Sequence, residues 1–127
     1  MHTAFLFLVG WATLLGASQA ASGPPCRAWL LATPRGNMLE LVGNCSSVAG
    51  AAGHYRYEMS LERQASGGRS TSQQGGEFDL AAGQSVVLSS TQVNIDGQTT
   101  YVGHLRIFDA HNVLLAQDSV RHTPDNK

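Results

Sequence analysis

Apolar and polar residues alternate with a period of two in several segments, and no long helical period lies between them. Tyr55, Tyr57, Met59 and Leu61 alternate with Arg56, Glu58, Ser60 and Glu62, which predicts a half-buried strand. Thr99 to Phe108 repeats the theme, with Tyr101, Gly103, Leu105 and Ile107 on one side and His104 and Arg106 on the other. Asp109-Ala110-His111-Asn112 is a turn signal, and Val113 to Val120 supplies a last strand. Arg69 to Gln74, between the glycine pairs Gly67-Gly68 and Gly75-Gly76, is polar on both faces and fits an edge strand or a loop. Phe78-Asp79-Leu80 then leads through Gly83 to a short strand, Ser85 to Ser89, expected in the core.

Thr33-Pro34-Arg35-Gly36-Asn37 is a turn signal between two apolar runs and predicts an N-terminal hairpin. Centred between Arg35 and Gly36, it pairs Thr33 with Met38, Leu30 with Leu41, and Cys26 with Cys45. One face then carries Cys26, Ala28, Leu30 and Ala32 against Leu39, Leu41, Gly43 and Cys45, all small or apolar. The other receives Arg27, Trp29, Leu31, Glu40, Val42 and Asn44. This register predicts a Cys26–Cys45 disulfide, which would stabilise by about 3 kcal/mol in the loop-entropy model. Two buried free thiols are the alternative.

The count is about seven strands joined by antiparallel turns. The expected fold is all-β, an immunoglobulin-like antiparallel β-sandwich, with a small closed barrel as the alternative. The Cys…Trp…Cys spacing of antibody domains is absent, because Trp29 lies inside the first hairpin.

The first twenty residues read as a signal peptide rather than as part of this domain. Ala4 to Leu15 is almost wholly apolar, and Ser18-Gln19-Ala20 offers small residues where a signal peptidase cuts. An N-terminal membrane anchor is the alternative, since no Lys or Arg precedes the apolar run. Residues 21–25 form a short leader, 26–121 the domain and 122–127 a polar tail. All eight Lys/Arg and nine Asp/Glu lie beyond residue 20, and the net charge of −1 excludes a strongly basic nucleic-acid or polybasic membrane binder.

Catalytic signatures are missing. The Gly-rich segment lacks the Gly-Lys-Ser/Thr ending of a phosphate loop. There is no Gly-x-Ser-x-Gly elbow, and the two cysteines are not in a Cys-x-x-Cys arrangement. His54 and His104 would approach each other only if their strands pair, and a metal site needs three or four convergent ligands. No enzyme, metal or cofactor is expected. Arg56, Glu58, His104 and Arg106 should share one outer face.

On Gly67-Gly68, Ser70, Gln74-Gly75-Gly76, Phe78, Leu80, Gly83-Gln84 and Leu88 the chain resembles the CsgH family of curli-assembly chaperones. The layout is similar too: a signal peptide, an early Cys, a tyrosine strand at Gly53-His54-Tyr55-Arg56-Tyr57 and a final hairpin from Leu105 to Val120. The resemblance implies a periplasmic immunoglobulin-like protein, similar in role to CsgC, which keeps curli amyloid subunits from polymerising before secretion. CsgC-type proteins carry a Cys-x-Cys pair, from which Cys26-Arg27-Ala28 departs, so no redox role carries over. The implied partner is a curli-type amyloid subunit, met by a monomer. Amyloid subunits stack Gln/Asn/Ser-rich strands by backbone pairing, and Arg69, Ser70, Ser72, Gln73 and Gln74 lie in a run of that composition. These are the candidate client-binding residues, and Arg56, Glu58 and Arg106 form a rival electrostatic contact. Other classes are a structural or adhesive module of a surface fibre and a small exported disulfide or redox protein.

Overall fold

A computed structural model describes residues 25–48 and 52–124. The expected signal peptide, most of the leader and the end of the polar tail lie outside the described residues. Within them run seven strands: β1 (Cys26–Arg35), β2 (Met38–Ser47), β3 (Gly53–Ala65), β4 (Gly68–Leu80), β5 (Ser85–Asn94), β6 (Thr100–Phe108) and β7 (Leu114–His122). They form two antiparallel sheets, one ordered β1-β2-β5 and the other β4-β3-β6-β7. The expected all-β sandwich is the fold observed.

The period-two readings translate directly into burial. On β6, Tyr101, Gly103, Leu105 and Ile107 are buried, while His104 and Arg106 are exposed. Tyr55, Met59 and Leu61 of β3 meet Leu39 and Leu41 of β2 in the same core. The sheets approach closely at two glycines. A Cβ on Gly43 would lie 2.9 Å from the Met59 sulfur, and one on Gly103 would lie 3.2 Å from Leu41 and Val120 side chains.

The first hairpin forms with a different register from the one expected. Gly36, at φ +61°, and Asn37 make the two-residue turn, so Arg35 pairs with Met38 and Ala28 with Cys45. Glycine is the residue that enters such a turn at positive φ without cost, and this moves the hairpin centre one residue along. Every partner shifts by two, which preserves the faces; Leu30, Leu39, Leu41 and Cys45 are buried as read from the sequence. Cys26, however, pairs with Ser47 and lies diagonal to Cys45. The expected disulfide is not formed: both cysteines are buried free thiols.

Arg69–Gln74 lies on an edge strand, one of the two readings offered for it; that strand, β4, continues through Phe78–Leu80 and pairs along its whole length with β3. One further expectation is corrected. β5, expected in the core, is the edge of the three-stranded sheet, and its Val87 is 66% exposed. Strand β7 also extends to His122, whose ring stacks on Tyr101 with centroids 5.2 Å apart.

The two flanks of the sandwich differ. On one, β1 lies against β7, and the Leu30 N–H donates to an Asp118 carboxylate oxygen at 2.9 Å. On the other, β4 and β5 scarcely touch.

Candidate functional site

β3 begins from residues that alternate so strictly that only one face can enter the core. The outer face therefore receives His54, Arg56, Glu58 and Ser60 by default. Pairing with β6 sets Glu58 beside Arg106 and Ser60 beside His104, while pairing with β4 sets Gly75 and Gln73 on the other side. Glu58, Ser60, Gln73, Gln74, His104 and Arg106 line a depression on this face. Gly75 gives it depth, because a Cβ there would press to 3.1 Å from the Tyr57 carbonyl and stand in the space beside Glu58.

Thus the sheet brings three of the sequence-predicted residues together on this face, Gln73, Glu58 and Arg106; Gln74 borders the depression but, as the partner of buried Met59, faces inward. Arg56 lies one row away and is tied down on three sides. Its guanidinium donates to Glu58 at 2.7 Å and to the Asn112 side-chain oxygen at 2.9 Å, and it stacks 4.3 Å above the Phe108 ring. Asn112 holds its position at φ 63° in the turn expected at 109–112, where the Asp109 carboxylate accepts from the His111 and Val113 amides. These backbone hydrogen bonds keep the Asp109 carboxyl below its usual range.

The remaining predicted residues are dispersed. Arg69 is exposed near the β3–β4 turn. Ser70 accepts a hydrogen bond from the Arg63 side chain at 3.1 Å. Ser72 pairs with Leu61 and is half-buried on the inner side of β4. One strand therefore presents two surfaces: Arg69 and Gln73 outward, Ser72 and Gln74 toward the opening between the sheets.

Three features were not read from the sequence. His54 sits between two β4 carboxylates, Asp79 at 2.7 Å and Glu77 at 2.8 Å; its spacing to them becomes visible only once the strands pair. His104 pairs with Ser60, six positions along β3 from His54, so the two histidines do not converge even though their strands pair. Among the described residues no group of His, Cys, Asp and Glu has metal-binding geometry. Asp118 is the third feature, an acidic residue on the inner side of β7 that reaches across to β1.

The thiols lie beside Tyr55 in the core. Burial raises the Cys45 pKa to about 12, with further contributions from Cys26 alongside and from the hydrogen bond to it. Burial raises Cys26 as well, partly offset by that hydrogen bond. The thiolate is the reactive species, so this pair lacks the poise of a thiol–disulfide catalyst.

No protein-family model and no curated protein matches the sequence. Solved structures do match the fold. The solution structure of CsgH from R. palustris superposes with a TM-score of 0.59 at 20% identity, covering 75% of this chain and 90% of that one. The E. coli curli protein CsgC superposes with a TM-score of 0.63 at 17% identity, covering 74% and 96%. A β-glucuronidase of Bacteroides uniformis reaches 0.56 at 11% identity, but only 14% of that enzyme is covered, a single sandwich within a larger chain. The described residues thus adopt a CsgH/CsgC-like β-sandwich.

Proposed function

We propose that this protein is a non-enzymatic periplasmic chaperone that keeps curli-type amyloid subunits from polymerising before secretion. The observation that carries this reading is a thirteen-residue edge strand, β4, with the polar run Arg69–Gln74 open on one side, set on a CsgH/CsgC-like sandwich. An exposed edge offers unpaired backbone N–H and C=O groups to an extended client segment. A client strand paired there gains backbone hydrogen bonds, and the polar run provides no apolar face on which a second client strand would stack. The depression beside Gln73 and Gln74 lets Glu58 and Arg106 contact polar client side chains at the same edge.

The periplasmic part of the reading rests on the Ser18-Gln19-Ala20 cleavage signal, checked by mass spectrometry of protein recovered from a periplasmic extract. The chaperone part is tested by adding substoichiometric protein to a purified curli-type subunit and following dye-reported fibre growth. A lengthened lag is expected. No delay at any ratio overturns the proposal. Replacing Ser70 and Ser72 with proline should shorten the lag toward that of the subunit alone; unchanged inhibition would remove β4 from the contact.

A further inference from the structure

The flank opposite the β1–β7 seam exposes a second edge besides β4. Its strand, β5, is guarded quite differently. Free edges in native proteins are usually blunted by charges, proline or irregularities, and β4 has Arg69, Glu77, Asp79 and the glycine pair Gly75-Gly76. β5 has no such charges or glycines: its ten residues, SVVLSSTQVN, include no charge, no proline and no glycine, and its irregularity is a bulge at Leu88. Val86, Val87, Thr91 and Val93 are β-branched, and Ser, Gln and Asn make up most of the rest. Such segments have the chemistry of strands that stack into cross-β ladders.

β2 pairs with one side of β5, and no described strand pairs with the other. Arg63 reaches across to the Asn94 carbonyl at the far end of the strand, and β4, which scarcely touches β5, does not pair with it. On the outer face Val87 lies in a row with Asn44 and Trp29, and Ser90 and Gln92 follow it along the edge. A strand laid beside β5 would therefore find an apolar position at Val87 and uncharged polar positions after it.

A bulge sharpens the consequence. Gly43 pairs with Ser89 and Asn44 with Val87, so Leu88 is an extra residue in β5. Bulges increase local twist, whereas stacked amyloid sheets are flat. A strand seated on this edge is turned away from the plane in which its own kind would add.

We infer that the β5 edge is a docking site for an extended, uncharged client strand of the amyloid-forming kind, with an apolar or aromatic residue opposite Val87. The inference rests on the chaperone reading and adds a second edge to it. With no charged side chain on β5 itself and the neighbouring Glu40 carboxylate engaged by Ser90 and Arg35, such a pairing is specified by backbone hydrogen bonds and by side chains of like chemistry.

The test uses the mature protein, a Val87→Lys/Ser90→Lys variant, and Leu31→Lys as a control. Leu31 is 56% exposed on β1, two strands from the edge. All three altered side chains are exposed, and unchanged thermal unfolding confirms that each variant folds. The wild type and Leu31→Lys are expected to delay fibre growth of a curli-type subunit equally. The β5 variant should need about tenfold more protein for the same delay, equivalent to ~1.4 kcal/mol of binding. Amide exchange across Ser85–Gln92 should slow when the subunit is added. Equal inhibition by the β5 variant, or unchanged exchange there, overturns the inference while leaving the chaperone reading intact. A wild-type dimer that the β5 variant dissociates assigns the edge to a second copy of this chain and also overturns it. Failure of the wild type to delay fibre growth removes the chaperone reading and this inference together.

Discussion

His54 lies between carboxylates on two successive outward positions of β4, one hydrogen-bonded to each ring nitrogen. Only the imidazolium can donate to both, so its pKa is raised above 6.5, first by Asp79 and then by Glu77. The bridge thus favours the folded state below the unfolded pKa, and that contribution is lost as pH rises through the raised folded value. A ring-proton titration should give a midpoint above 6.5, and Asp79→Asn with Glu77→Gln should bring it back down. The cysteines give the opposite kind of expectation. With Cys45 pushed up to about 12 and Cys26 buried beside it, a thiol reagent at neutral pH should label neither until the protein unfolds. The unfolding midpoint should be the same with and without reductant; a lower midpoint in reductant would show a disulfide. Gly43 is fixed by packing alone: Gly43→Val must push Met59 and Leu105 aside and should destabilise by about 1–3 kcal/mol in denaturant melts.

Strands with one buried face announce themselves, because a slip of one residue would turn the whole face outward. That is why β3 and β6 were legible to within a few residues from Tyr55–Leu61 and Tyr101–Ile107, and why their outer residues were correctly grouped. Register is a weaker signal. The first hairpin could be centred at Arg35-Gly36 or at Gly36-Asn37 with the same residues buried, and only the backbone angle at Gly36 separates the two. The disulfide expectation failed on that ambiguity. Edge or core is weaker still for a run such as Val86-Val87-Leu88, since an apolar triplet is compatible with either position. The depression was legible in its residue types but not in its shape, which depends on Gly75 lying beside Glu58 across the ladder. A side chain at that position should fill it: Gly75→Gln is expected to lower the affinity for a curli-type subunit and, because its Cβ presses on the Tyr57 carbonyl, to lower the unfolding midpoint as well. The change in affinity is read by titration of the subunit into the folded variant.

For the molecule as a whole, a net charge of −1 leaves little long-range field to steer a partner. Backbone pairing at β4 and β5 does not depend on such a field. Inhibition of fibre growth should therefore persist as salt is raised toward 1 M, where the screening length is about 3 Å. Steep loss with salt, measured against the subunit alone in the same buffer, would show that the charges of Arg56, Glu58 and Arg106, rather than backbone pairing, carry the contact. Asp118 bears on this in another way. Its carboxylate occupies the Leu30 N–H on the rim of β1, so each sheet has one rim engaged within the fold and one that faces outward. A bead open on both flanks would be built into a growing ribbon and would pass the growth on. Here both free rims, β4 and β5, open on one flank, while β1 and β7 close the other; on the chaperone reading, that makes the protein a terminus for a strand it meets rather than a link.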